Sequence, residues 1–298
     1  MSLRLLITVC TYGRPDGLRR LLTSLEGERS DEVDVLVVDN NPVGVDYLDS
    51  IRRDFPWALI EVERTPGIPA ARNKALDQAT GYWAILFVDD DEFVTPGWLK
   101  AHTRYAEESD ADVFFGPVLS EYSPGADHRV VDGGILQRDR HPTGLELPFG
   151  ATNNTLVKVK AIPAAVRFSE GFTESGGSDV HFFANLRAYG AKLVWNDNPV
   201  VYEAIPADRA TVHWVRRRYM RMGSNLVSLH QDSTRARLYA SAMARILVGA
   251  ALRPTEWTPR RLRKAASGRI WMGLGMLQAL RGTTHVEYVR NESVGSDA

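Results

Sequence analysis

Tyr82-Trp83-Ala84-Ile85-Leu86-Phe87, continued by Val88-Asp89-Asp90-Asp91-Glu92-Phe93, is the stretch on which the fold turns. An apolar run without polar alternation predicts a strand buried on both faces, the mark of a parallel sheet covered by helices on each side. Four acids follow it, so carboxylates are delivered to a strand end inside a compact domain. Ionised carboxylates leave water only when compensated, and adjacent ones repel. Two readings are open: the run holds a divalent cation that serves a phosphate-bearing substrate, or it is a solvated acidic turn that ends the strand.

Upstream of this run, strands and helices alternate as a parallel sheet requires. Leu3 to Cys10 reads as a strand, and Thr11 to Asp16 as a turn with Asp16 as helix cap. Gly17 to Leu25 has leucines at 18, 21, 22 and 25, a helical spacing. Val33 to Val38 is the second strand, 45 to 54 a helix, Leu59 to Glu63 the third strand and Pro69 to Ala79 an Ala-rich helix. The Asp-tipped strand is then the fourth. In open α/β sheets ligands collect beyond the carboxyl ends of the strands. Thr11-Tyr12, Asp39-Asn40 and Asp89 to Asp91 all fall at such ends, so one crevice can gather them. There Tyr12 can lie flat against a base, Asp39 can accept from a ring N–H, and Arg72 can reach phosphate. Their alternatives are a rim aromatic, a turn former and a solvated helix charge.

Downstream, Asp112 to Val118 predicts a strand and 119 to 148 a loop-rich segment. Gly150-Ala151-Thr152-Asn153-Asn154 offers either turn chemistry or amides for a hydroxyl-rich ligand, ahead of a strand over 155 to 159. Val180 to Tyr189 reads as an amphipathic helix, with Asp179 either capping it or acting as a general base at the mouth of the site.

The net charge of −1 over 298 residues conceals an asymmetry. From Pro206 to Arg281, fourteen Arg and Lys264 stand against Asp208, Asp232 and Glu256, a balance of +12 that leaves −13 for the rest. That region is helical by pattern and seeks an anionic partner, either phosphate groups or an anionic membrane leaflet. The two apolar stretches, Ser241 to Leu252 and Trp271 to Leu280, are too short to span a bilayer. They lie on a membrane surface or pack against the sheet or a second copy. Without a signal-peptide pattern at the N-terminus the expected location is the cytoplasm, with peripheral contact at the inner face of the membrane as an alternative. The single Cys10 excludes an internal disulfide and reads as core rather than nucleophile. No module accompanies the basic region that would make it a nucleic-acid binder.

In order and spacing, TVCTYGRP, VVDNNP, TPGIPAARNKAL, LFVDDDEFVTPGWL, GATNNTLV, GGSDVHFFANLRAYGAKLVW and HWVRRRYMRMGSN resemble glycosyltransferase family 2, and within it the bacterial succinoglycan-type glucosyltransferases. The resemblance spans roughly residues 3 to 230. It implies a GT-A fold, a Rossmann-like and mostly parallel sheet flanked by helices, with a helical C-terminal extension. It implies an inverting transfer from a nucleotide-diphosphate sugar, UDP most often, aided by Mn2+ or Mg2+, to a saccharide or lipid-linked acceptor. By position, Thr11, Tyr12 and Arg14 would line the nucleoside pocket, with Asp39 at the base and Arg72 near the phosphates. Asp89 and Asp90 would face ribose and donor sugar, Asp91 would bind the metal, and Asp179 would be the catalytic base. His213 would serve the metal or the diphosphate. The catalytic domain would run over 1–206, with a nucleotide-sugar half to about 118 and an acceptor half beyond, followed by a basic helical region over 207–290 and a flexible tail over 291–298. A homodimer is compatible with this layout.

One departure stands out. Where relatives read Gly-Glu-Asp-x-Asp, this chain has Gly177-Ser178-Asp179-Val180-His181. Loss of two acids keeps open a non-catalytic nucleotide-sugar or glycan-binding relative. A sugar-phosphate nucleotidyltransferase, the other alternative, should show a Gly-rich N-terminal loop with a basic residue, and TVCTYGRP has only Gly13.

Overall fold

The computed structural model describes residues 3–41, 47–173, 176–229, 233–252 and 260–282, with the side chains of 229 and 260–265 left aside. The chain divides into two compact units. One comprises Met1–Glu121, Gln137–Gly171 and Ser178–Ala204, the other Tyr122–Leu136, Phe172–Gly177 and Ile205–Ala298.

The first unit begins with the predicted alternation: β1 (Leu5–Thr11), α1 (Pro15–Leu25), β2 (Val33–Asp39), α2 (Tyr47–Asp54), β3 (Ala58–Val62), α3 (Ile68–Gln78) and β4 (Ala84–Asp89). Then come β5 (Glu92–Val94), α4 (Trp98–Glu108), β6 (Val113–Phe115) and β7 (Val118–Tyr122), with α5 (His128–Gly133) in the second unit. Next are β8 (Thr155–Lys158), α6 (Ser178–Ala188), β9 (Leu193–Trp195) and β10 (Val201–Ile205). The second unit adds α7 (Val212–Leu229), α8 (Arg235–Ala251) and α9 (Arg260–Leu280).

Seven strands form the main sheet in the order β3-β2-β1-β4-β8-β6-β9, and β5-β10-β7 form a small one. Within the main sheet β3, β2, β1 and β4 are mutually parallel, and β8 runs antiparallel between β4 and β6. Alternation along the strands explains why both faces need helices. Leu5, Ile7 and Val9 of β1, Val35 and Val37 of β2, and Leu86 and Val88 of β4 pack with Leu18, Leu21, Leu22 and Leu25 of α1 and Trp98 of α4. Leu6, Leu36, Val38, Ile85 and Phe87 pack on the opposite face with Ala71 and Ala75 of α3 and Phe182, Phe183 and Leu186 of α6. The small alanines of α3 let that helix lie close to the strands.

Four expectations are corrected. Tyr82-Trp83 precede β4, which instead extends through Asp89. Asp16 is not a cap: Arg14 occupies that position with Pro15 as the first helical residue, and no side chain caps the helix. The strand expected over 112–118 is two strands in different sheets, broken at Gly116-Pro117 because proline cannot donate to a ladder. The loop-rich segment 119–148 contains most of β7 and all of α5, whose Asp127 cap accepts from Arg129 N. Residues 45 and 46 of the expected second helix, and the tail over 291–298, lie outside the described residues.

In the second unit α9 packs with α7 and α8 through glycines. A Cβ on Gly275 would overlap Met220 O, and one on Gly223 would overlap Met272 O, so the α7 and α9 backbones touch. Leu238 and Ala242 of α8 meet Met276 and Leu280 of α9 in the apolar cluster there. Among the described residues no helix is long and apolar enough to cross a membrane.

Candidate active site

The carboxyl ends of β1, β2 and β4 lie side by side, because Thr11 pairs with Asp39 and Cys10 with Asp89 in the ladder. Asp39 is buried, accepting from Tyr47 Oη at 2.7 Å and from the Asn41 amide. Both partners fix the carboxylate rather than neutralise it. Tyr12 follows β1 and is 41% exposed, an aromatic face open to solvent at the rim of the crevice. Asn40 donates to Glu63 O and Thr65 O, both at 2.8 Å, and accepts from Gly67 N at 2.9 Å. It thereby ties the β2 end to the loop that launches α3, where Gly67 holds a φ of 120° that L side chains rarely adopt.

Arg72 projects from α3 and is itself buried. Its Nη1 lies 3.5 Å from Ser178 Oγ and its Nη2 3.7 Å from Asp89 Oδ1. Below it, Phe168 stacks on Phe182 of α6 at 4.0 Å between ring centroids, and the guanidinium stands 5.6 Å from the Phe168 ring. Asn73 clamps the Phe168 backbone by donating to its O and accepting from its N, each at 2.9 Å. A buried cation is thus held facing the acidic strand end.

The acidic run is divided among several partners. Thr11 Oγ1 donates to Asp90 Oδ2 at 2.8 Å, and Arg14 Nη1 bridges Asp90 Oδ1 at 2.8 Å and Asp91 Oδ2 at 3.0 Å. Glu92 Oε2 accepts the Asp89 N–H at 2.9 Å, while its other oxygen is buried without a hydrogen-bond partner. Across the small sheet Glu203 pairs with Glu92, and Arg138 Nη2 donates to Glu203 Oε2 at 2.9 Å. Dehydration raises the Asp89, Asp90 and Glu92 carboxyls above their ordinary range, against Arg72 and Arg138 for Asp89, Arg14 for Asp90 and Arg138 for Glu92. Burial likewise lifts the Cys10 thiol to about 12, so it stays protonated and is no nucleophile.

Arginines alone leave these acids short of positive charge, and the available donors are hard oxygens suited to Mg2+ or Mn2+. No group of three His, Cys, Asp or Glu able to hold a metal exists among the described residues. An ion at this place would therefore be held by at most two carboxylates, with substrate oxygens completing its shell.

Asp179 lies in the first turn of α6 next to Ser178, half-buried, its Oδ1 accepting from Val180 N at 2.9 Å. The Ser178 contact to Arg72 brings the start of α6 to the same crevice. His213 belongs to the other unit, exposed in the first turn of α7. Of the small residues before β8, Asn154 is structural. Its Oδ1 accepts from Trp98 Nε1 at 2.7 Å and His102 Nε2 at 2.9 Å, and its Nδ2 donates to Pro117 O and Pro199 O at 2.9 and 2.6 Å. Arg138 and Glu203 are site neighbours that the sequence reading did not single out.

Comparison with known proteins defines the class. Residues 6–162 match the Glycosyl transferase family 2 model, and the chain belongs to that family. It is 31% identical over 229 residues to the succinoglycan biosynthesis protein ExoM of Rhizobium meliloti, 74% of each chain. The uncharacterized glycosyltransferase YwdF of Bacillus subtilis is 29% identical over 108 residues, 36% of this chain and 40% of YwdF. The GT-A fold is shared with S. aureus TarS. Residues 1–349 of that protein superpose with a TM-score of 0.55 at 15% identity, covering 97% of both chains. This chain spans 57% of the longer TarS chain. TarS 1–349 has been solved with UDP and with UDP-GlcNAc.

Proposed function

We propose that this glycosyltransferase moves a sugar, with inversion, from a nucleotide-diphosphate donor, a UDP-sugar, to a hydroxyl of a saccharide or glycolipid acceptor. The observation that carries this reading is the convergence of Asp39, Arg72, Asp89 and the start of α6 at one end of a parallel sheet. TarS, of the same fold, binds UDP and UDP-GlcNAc, which supports UDP as the nucleotide.

In this reading Tyr12 stacks on the base, Asp39 accepts from its ring N–H, and Thr11 and Arg14 complete the nucleoside pocket. Asp89 and Asp90 meet the ribose and the donor sugar, and Arg72 attends the phosphates. Mn2+ or Mg2+ at Asp91 would offset charge on the leaving diphosphate. Asp179 takes the proton of the acceptor hydroxyl as its oxygen bonds to the anomeric carbon and the bond to the diphosphate oxygen breaks. One displacement inverts that carbon and needs one carboxylate base, unlike hydrolysis with its acid and base pair. Ser178 in place of an acid leaves Arg72 with a neutral neighbour, which keeps that cation available to phosphate.

The test is a thermal-shift panel of UDP, GDP, dTDP and CDP with and without Mn2+, on wild type and Asp91→Ala. Ligand binding raises stability by mass action. A Mn2+-dependent shift with UDP, lost in Asp91→Ala, is the expected result. No shift with any nucleotide in folded protein would overturn the donor-site reading.

A further inference from the structure

The second unit carries a surface that transfer chemistry does not use. Its three long helices contain twelve Lys and Arg and no Asp or Glu. Helix α8 buries Leu238, Ala242 and Gly249 toward α9. Its opposite face shows Ala236, Ala240, Met243, Ala244, Leu247, Val248 and Ala251, spaced by three and four residues along one side. Met243 is 45%, Leu247 63% and Val248 46% exposed. Apart from Arg237 the exposed residues between Ala236 and Ala251 are all apolar. Surface helices ordinarily present their polar residues outward, so this one is inverted, and no described residue covers it.

Basic charge gathers at the N-terminal end of that face. Arg235 and Arg237 are exposed there, and Arg235 Nη2 donates to Leu280 O at 2.6 Å, which brings the exposed Arg281 alongside. Charge selects among the occupants. A second copy would set one acid-free basic surface against another, at a repulsive cost. A nucleic acid would engage the arginines and leave the leucine and methionine side chains in water. An anionic bilayer satisfies both: headgroups take the arginines while the apolar side enters the acyl boundary.

We propose that the outer face of α8, centred on Met243 and Leu247 and flanked by Arg235, Arg237 and Arg281, is a docking surface for an anionic lipid bilayer. The helix lies in the interface plane and does not span. This placement is independent of the donor-site reading, because it is measured without substrate.

Co-sedimentation of the full chain with vesicles of phosphatidylcholine, alone or with about one third phosphatidylglycerol, tests it. Three proteins are compared: wild type, Met243→Gln/Leu247→Gln, which leaves the charge unaltered, and Arg235→Gln/Arg237→Gln. Wild type should partition at least about tenfold more strongly onto the anionic vesicles. The apolar pair of substitutions should lower that partitioning about tenfold at unchanged melting temperature, and the arginine pair should erase the preference for anionic lipid. Equal partitioning of wild type and Met243→Gln/Leu247→Gln would overturn the proposal, since arginines alone would then explain binding. So would a wild-type dimer in sedimentation equilibrium that the same variant converts to monomer, because the face would then belong to a second copy. Absence of wild-type binding to either vesicle would also end it.

Discussion

Arg14 and Asp90, 76 positions apart in the chain, are joined by a 2.8 Å contact between guanidinium and carboxylate. The same nitrogen reaches Asp91 at 3.0 Å. A single arginine thus serves both carboxylates, and an ion bound at Asp91 as proposed would take over that charge position. Arg14 is 38% exposed, so solvent screens the pair and its worth is modest. Arg14→Ala should lower the stability of the metal-free protein by about 1 kcal/mol. The deficit should shrink when Mn2+ and UDP are added together. Chemical denaturation in both conditions checks this, and a deficit of equal size in the two would show that arginine and ion do not share a role.

Asp179→Asn preserves size and the hydrogen bond from Val180 N while removing the proposed proton acceptor. The expected outcome is a fall in kcat of roughly 10²- to 10⁴-fold. The nucleotide-induced thermal shift should be unchanged, which separates loss of the base from loss of donor binding. A variant that turns over like wild type would pass the base to another group, with His181 next in line on the same helix.

Asn154→Ala should be severely destabilising. It would leave Pro199 O, Trp98 Nε1 and His102 Nε2 without their partner in a buried site, at about 3 kcal/mol or more. Gly116→Ala should act on the same joint from the other side, since a Cβ there would overlap Asn154 Nδ2. Urea unfolding of the two single variants and the double should give strongly non-additive losses.

His102 gives the protein an acid-labile element. Its Nε2 donates to Asn154, its Nδ1 is buried without a partner, and dehydration lowers the ring from 6.5 to about 4. The folded state therefore favours the neutral ring. Stability from this source is complete above pH 6.5, is lost as pH falls toward 4, and changes little below that. The loss amounts to about 3 kcal/mol by linkage. His102→Gln should flatten the dependence of unfolding free energy on pH across that window, whatever its effect on stability at neutral pH.

The N-terminal alternation of strands and helices was legible because its information is local. Leucines at 18, 21, 22 and 25 mark one helix face, and unbroken apolar runs mark strands buried on both sides. Strand ends carrying Thr11, Asp39 and Asp89 follow from those two patterns, so the crevice could be assembled before any coordinates. The strands after β5 resisted for a physical reason. Val113–Phe115 and Val118–Tyr122 are short strands in different sheets, and only the Gly116-Pro117 pair between them announces the break. Arg138 meets Glu203 across 65 positions, a pairing set by sheet topology that no window of sequence contains. Ser178 looked like a lost acid and proves to be the neutral neighbour of Arg72. Asn154 was open to either turn chemistry or a ligand, and its amide is occupied by the fold.

The antiparallel strand β8 has a consequence for anyone dividing the chain. It pairs with both β4 and β6, so it closes the flank of the acidic strand with residues encoded some seventy positions later. A fragment stopping before Thr155 would expose the ladder of β4 from Ala84 to Phe87, an apolar stretch without charge or proline to guard it. Such a piece should clump rather than bind nucleotide. The N-terminal part therefore cannot be expected to survive as a separate module, and any dissection of the enzyme has to keep the chain through β8 intact.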